Sequence, residues 1–204
     1  MTKQQDIQLF PLRVVMFPGS KLDLQIFERR YLDMISHCLR NDMGFGVCLL
    51  REGDEMLREE GRQSFHRTGT YTRIIDWDQL ENGLLGITVE GKAKFRIHNA
   101  WEADNGVLEA QAELSEQDCL GQEAIPVSEE FSGLVDLLQS LENHPLIEQK
   151  DLHVDYGNLW EVGWRLSDLV PLDMDQRQQL LEQDDPWERI RSIEKFVSIL
   201  ANNR

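Results

Sequence analysis

The first fifty residues change hydrophobic period three times. Residues 9–17 are apolar at every position except Arg13, which predicts a strand covered on both faces. Pro18, Gly19, Ser20 and Lys21 supply a turn. Leu22, Leu24 and Ile26 then alternate with Asp23 and Gln25, the period of a half-buried strand. From Glu28 the spacing becomes helical, with Tyr31, Met34, Ile35 and Cys38 on one face. Residues 41–44 end this helix, and Gly44 is the expected left-handed cap. A short apolar strand follows at residues 45–50.

Residues 51–66 are polar and charged and read as a long exposed loop. Further strands are predicted over 69–75, 84–89, 93–98 and 107–114, with Glu81-Asn82-Gly83 as an Asn-Gly turn. So many short strands with one early helix predict a closed or half-closed barrel. Beyond a polar stretch at 115–123 the pattern becomes helical. Phe131, Leu134, Val135, Leu138 and Leu141 share a face until Asn143-His144-Pro145 breaks the helix. Leu159, Trp160, Gly163, Trp164 and Leu166 mark a second helix that ends before Pro171. Asp173 with Gln176 predicts a capping box on a third. Asp185-Pro186-Trp187-Glu188 opens a fourth, with Ile190, Ile193, Phe196, Val197 and Leu200 as its buried stripe. The expected organisation is a β-rich lobe at 1–120 and an α-helical lobe at 121–204, an α+β class.

Several ordered motifs punctuate this pattern. They are Phe10-Pro11-Leu12, Phe17-Pro18-Gly19 and Ile26-Phe27-Glu28-Arg29-Arg30-Tyr31, then Phe45-Gly46-Val47, Gly69-Thr70 and residues 91–97 (GKAKFRI). Trp164-Arg165-Leu166, Pro171-Leu172 and residues 179–182 (QLLE) continue the series. This ordered set, spanning residues 7–200, resembles the N-terminal, substrate-contacting domain of Lon proteases. The resemblance implies a PUA-like β-barrel lobe followed by a helical bundle. It also implies recognition of polypeptide, as an adaptor or a recognition module linked to proteolysis or protein quality control. Phe10, Phe17, Phe27 and Tyr31 are expected to fill the barrel core. Pro11, Pro18 and Gly19 are expected to set strand edges and turns. Glu28 and Arg30 are expected to orient the helix start, where the dipole favours a carboxylate.

Composition narrows the function. The 41% hydrophobic and 28% charged fractions describe an ordinary globular protein. No stretch is long and apolar enough to span a bilayer, and residues 1–10 carry no secretory h-region. Cys38, Cys48 and Cys119 show no pairing pattern and are expected to be free thiols, so the expected location is the cytoplasm. The net charge of -16 opposes nucleic-acid binding. It divides as 14 Lys+Arg against 20 Asp+Glu in residues 1–120 (-6) and 7 against 17 in residues 121–204 (-10). Such an acidic surface either serves solubility alone or favours basic partners.

No catalytic set emerges. Residues 86–92 (GITVEGK) fit GxxxxGK, but Ala93 replaces the required Ser or Thr, and the segment alternates like a strand. Ser192 and Ser198 flank Lys195 at helical spacing, where solvated polar residues are the simpler reading. No metal or cofactor site is expected, and no enzymatic activity. Trp77 and Trp101, in polar surroundings, are candidate anchors for a bound peptide or covers of the barrel end. Two alternatives stand beside polypeptide recognition. One is a PUA-like RNA-binding module using Arg58, Arg62, Arg67 and Arg73, which Glu59 and Glu60 dilute. The other is a small-molecule hydrolase whose residues converge only in three dimensions.

Overall fold

A computed structural model of the chain describes residues 3–52, 64–115, 123–144 and 154–202. Two compact units divide it, residues 1–119 and 120–204. The first holds strands β1 (Lys3–Leu12), β2 (Lys21–Ile26), β3 (Phe45–Glu52), β4 (Ser64–Gln79), β5 (Leu85–Glu102) and β6 (Leu108–Leu114), with helix α1 (Arg29–Asn41) between β2 and β3. The second holds a 3-10 turn (Glu129–Phe131) and helices α2 (Ser132–Glu142), α3 (Leu159–Leu169), α4 (Met174–Glu182) and α5 (Pro186–Asn202). The fold is α+β, a β-rich lobe and a helical lobe. Among the described residues no helix is long and apolar enough to cross a membrane.

The six strands form one sheet in the order β2-β5-β4-β3-β1-β6, and β6 also pairs with β5. That last pairing closes β5-β4-β3-β1-β6 into a barrel. Only β1 and β3 run parallel; the other pairs are antiparallel. Two predicted strands, 84–89 and 93–98, are halves of the single strand β5. The reason lies at Gly91. Up to Glu90, one edge of β5 pairs with β2, and from Phe95 the same edge pairs with β6. Between them the backbone of Gly91 exchanges hydrogen bonds with the turn at residues 17–20: Gly19 N–H donates to Gly91 O, and Gly91 N–H donates to Ser20 O, both at 2.9 Å. A Cβ on Gly91 would lie 2.2 Å from the carbonyl oxygen of Phe17, so glycine is required by proximity. This stretch of β5, which includes the GxxxxGK match, is continuous strand and not a phosphate-binding loop.

The predicted strand over 9–17 begins earlier and stops at Leu12. Pro11 pairs with Cys48 on β3, beyond the last β1–β6 pair at Leu9, where the missing N–H costs no ladder bond on the β6 side. Phe17 closes a turn instead: Ser20 N–H donates to Phe17 O, with Gly19 at φ 83. Both faces of β1 and β3 are buried. Phe10 and Val47 join α1 residues Tyr31, Met34, Ile35 and Cys38, while Leu9 and Cys48 pack with Phe95 and Ile97. The left-handed cap of α1 is Asp42 (φ 50), not Gly44. Gly44 serves close packing, since a Cβ there would sit 2.0 Å from Thr72 O. In the expected loop at 51–66, β3 extends to Glu52 and β4 starts at Ser64. Residues 53–63 between them, with Arg58, Glu59, Glu60 and Arg62, lie outside the described residues, as does Cys119.

In the helical unit the capping box forms as expected, Asp173 and Gln176 exchanging bonds. Helix α5 departs from expectation. Ile190 and Ile193 are buried, but Phe196 and Val197 are only half-buried and Leu200 is exposed. The buried face shifts N-terminally to include Arg189, which has no solvent exposure. Its guanidinium lies 3.3 Å from the Trp164 ring centroid and donates to the carbonyls of Leu180 and Gln183. These acceptors and the aromatic face offset the cost of removing the charge from water.

Gly91→Ala is expected to lower the unfolding free energy by about 1–3 kcal/mol in urea titrations, because the turn backbone must give way. Burial raises the Cys38 thiol from 9.0 to about 11 and pushes Cys48 higher still. In a Cys119→Ser background, neither thiol should react with a disulfide reagent near neutral pH until the protein is denatured, when both should. Since the folded state holds these thiols neutral, stability should decline as pH rises from 9.0 towards 11.

Candidate functional site

Strand β2 ends the open side of the sheet. Among the described residues it pairs with β5 alone, and no described strand occupies its second edge. Its alternation sets two faces. Leu22, Leu24 and Ile26 turn towards the cluster around α1, whereas Asp23 and Gln25 are exposed. The next residue, Phe27, continues the alternation outwards and is 63% exposed. The expectation that Phe27 fills the core fails on this parity, because Ile26, at 2% exposure, already occupies the inward position. Phe10, Phe17 and Tyr31 are buried as expected, with the Phe10 and Tyr31 rings stacked at 4.0 Å between centroids.

The link between Phe27 and α1 is held by a charged clamp. Arg30 donates from Nε to Glu28 Oε2 at 2.9 Å and from Nη1 to the carbonyl of Gly106, also at 2.9 Å. Its guanidinium lies 4.5 Å from the Tyr31 ring centroid. Glu28 occupies the N-cap position of α1, yet its side chain makes no capping bond and accepts from Arg30 instead. The clamp therefore ties the start of α1 to the turn after β5 and holds the residue next to Phe27.

Two clefts flank β2. The first, about 200 Å³, is walled by Phe10, Leu12, Leu24, Phe27, Glu28 and Tyr31. The second, about 220 Å³, runs over residues of β2, β5 and β4, including Asp23, Gly86, Asp76, Trp77, Asp78 and Leu80. Leu24 and Gln25 border both. Trp77, paired with Ile87, is 60% exposed at the rim of the second cleft. Trp101, paired with Glu109 near the far end of β5, is 38% exposed, and its indole N–H donates to Glu109. The two tryptophans do not converge, and only Trp77 joins the β2 surface. Phe27, treated in the sequence as core, is the aromatic that sequence reasoning missed; counting strand parity from Leu22 would have found it.

The other candidates resolve into structure. Ser192 accepts from Gln183 and Ser198 donates to the Glu194 carbonyl, so the helical Ser/Lys spacing builds no dyad. Arg67 donates to the carbonyls of Ile97 and His98, and Arg73 pairs with Asp42 at 2.8 Å. Among the described residues no cluster of His, Cys, Asp and Glu could hold a metal. In the helical unit Arg165 bridges Glu142 and Asp168, and Arg177 also binds Asp168. Tyr156 donates to Glu142 at 2.6 Å, a bond that raises its phenol above the usual range. The two arginines and two carboxylates of this network balance in charge.

Phe27→Ala should leave the unfolding free energy within about 0.5 kcal/mol of the parent. Arg30→Ala should lower it by about 1–3 kcal/mol, since the Gly106 carbonyl and the Glu28 carboxylate lose their donor. Urea denaturation of the two variants checks the contrast.

Comparisons with known proteins bear on the chain as a whole. The family model described as the ATP-dependent protease La (LON) substrate-binding domain matches residues 6–198. Lon protease 1 of Bacillus subtilis (strain 168) is 22% identical over 202 residues, 96% of this chain and 25% of that protein. Lon protease of Aquifex aeolicus (strain VF5) is 25% identical over 204 residues, 95% of this chain and 25% of that protein. The chain thus spans about a quarter of the length of the curated relatives it matches. The crystal structure of a Lon N-terminal domain protein from Xanthomonas campestris has 31% identity and a TM-score of 0.74, covering 95% of this chain and 98% of that one. The N-terminal domain of Mycobacterium avium complex Lon protease has the same fold, at 14% identity and a TM-score of 0.62, covering 95% of this chain and 98% of that one.

Proposed function

This chain belongs to the substrate-binding domain family of the ATP-dependent protease La (LON), and we propose that it recognises extended polypeptide without catalysing a reaction of its own. The matched family is described as a substrate-binding domain, which supports a recognition role in proteolysis. The observation that carries the reading to a particular surface is the exposed Phe27 at the end of β2, beside an apolar cleft and an edge that no described strand occupies.

The mechanism is strand addition. An unfolded segment laid along β2 gains main-chain hydrogen bonds that do not depend on its sequence. Side chains on one face of the segment then meet Leu24 and those on the other meet Phe27, and burying apolar surface there adds affinity. A site of this kind accepts many sequences that share an extended, apolar character, as recognition of damaged or unfolded protein demands. Trp77 extends the apolar rim on the β4 side. In this reading the chain delivers or presents polypeptide to a proteolytic machine, and the helical lobe is not needed for the primary contact.

A labelled, permanently unfolded protein segment should bind the chain in fluorescence anisotropy, and Phe27→Asp should weaken that binding about tenfold by placing a charge where apolar surface is buried. Trp101→Ala, at the far end of β5, should leave it unchanged. Equal binding by the Phe27→Asp variant would move the site away from β2.

A further inference from the structure

The β2 surface has a charge as well as a shape. Among the described residues neither cleft is lined by Lys, Arg or His, while Asp23, Asp76 and Asp78 border the second. The three carboxylates share one face of the sheet. Asp23 pairs with Thr88, Thr88 pairs with Asp76, and two residues along Gln25, Gly86 and Asp78 form the next row. Each carboxylate makes a short local bond: Asp23 accepts from the Thr88 hydroxyl at 2.7 Å, Asp76 from Trp77 N–H at 2.9 Å and Asp78 from Gln79 N–H at 2.7 Å. None of these donors is a cation, so the negative charge is not neutralised locally. Three described cations of this unit have carboxylate partners of their own: Arg30 binds Glu28, Arg73 binds Asp42 and Lys92 binds Glu90.

We infer that the polypeptide taken up along β2 is basic as well as apolar: an extended segment with apolar side chains on the Leu24 side and Lys or Arg on the face that carries Asp23, Asp76 and Asp78, where Phe27 adds one apolar position at the end of the strand. This rests on the strand-addition reading and names its substrate class. Adjacent strands lie about 4.8 Å apart, so a residue added beside Asp23 is its direct neighbour. Asp76 and Asp78 stand two strands further on, within one Debye length of about 8–10 Å once a Lys or Arg side chain extends across β2. Gly86, in the row between Gln25 and Asp78, presents no side chain of its own, and the Leu80 side chain lies over it. Leu80 there offers apolar surface to the methylene stem, while the charged head stays in water near the carboxylates. An acidic segment would meet like charge at the same positions and be rejected.

The test uses the full chain and three labelled peptides of about ten residues, long enough to span β2. They alternate leucine with lysine, with serine or with glutamate, and binding is read by fluorescence anisotropy. At low salt the lysine peptide should bind about tenfold more tightly than the glutamate peptide, as several exposed charge pairs of modest strength would give. The gap should close at about 1 M salt, where the Debye length is near 3 Å. Replacing Asp23, Asp76 and Asp78 together by Asn should shrink the preference. An equal charge change far along the chain, Glu129→Gln with Glu130→Gln and Asp136→Asn, should leave it intact. A preference reduced equally by both triple variants would reflect net charge alone and overturn the inference. Equal binding of the three peptides in the parent protein would overturn it too, with no variant needed. If all three bind equally and Phe27→Asp weakens all of them, strand addition stands and only the charge preference falls. If none binds, both fall.

Discussion

A single edge of β5 serves two neighbours, and most of the first unit follows from how it is divided. Eighteen residues long, β5 gives its first half to β2 and its second half to β6. The turn at residues 17–20 is bonded to Gly91 where the division falls. Were β6 to continue along the whole edge, β2 would have no place in the sheet. Were β2 to continue, the barrel would not close. Glycine at 91 lets the turn approach closely enough to hold this boundary, and the Phe17-Pro18-Gly19 motif supplies the turn. The open β2 edge is thus a by-product of barrel closure: the strand that completes the ring on β5 is not the strand that ends the sheet.

The family motifs take on separate duties in this arrangement. Phe10 and Tyr31 stack in the core, Pro11 sits past the end of the β6 ladder, and Pro18 and Gly19 shape the boundary turn. Glu28 and Arg30 do not cap the helix through a side-chain bond; they form a clamp to the Gly106 carbonyl. The clamp is adjacent to the most exposed aromatic of the lobe, Phe27. Residues of these motifs therefore set how the β2 edge and Phe27 are presented.

The sequence made the periodic elements legible because their signals are local. All four residues expected on the buried face of α1 are buried there, and the α4 capping box needed only Asp173 and Gln176. Errors arose where a distant partner decides the outcome. Gly44 resembled a helix cap until Thr72 O and the Tyr71 ring proved to lie against it. The apolar run 9–17 looked continuous because its second half is buried by packing, although it is not in a ladder. Arg189 carries no local sign of its burial, because its Trp164 and carbonyl partners lie on other segments. At the candidate site Trp77 was visible as an aromatic among acids. Phe27 was obscured, because a hydrophobic residue at the end of an apolar alternation reads as core unless parity is counted.

Closure of the barrel also sets an order of events during synthesis. Lys3 pairs with Leu114 and Leu9 with Leu108, so one side of β1 finds its partner only after about a hundred further residues exist. On the other side its parallel partner β3 follows only after β2 and α1. At a translation rate of roughly 5–20 residues per second, the apolar N-terminal strand waits several seconds with its outer ladder unfilled. Contacts so distant in sequence slow folding and prolong the exposure of sticky edges. A chain whose first strand waits so long for its partner is thus, as it emerges from the ribosome, itself in need of shelter.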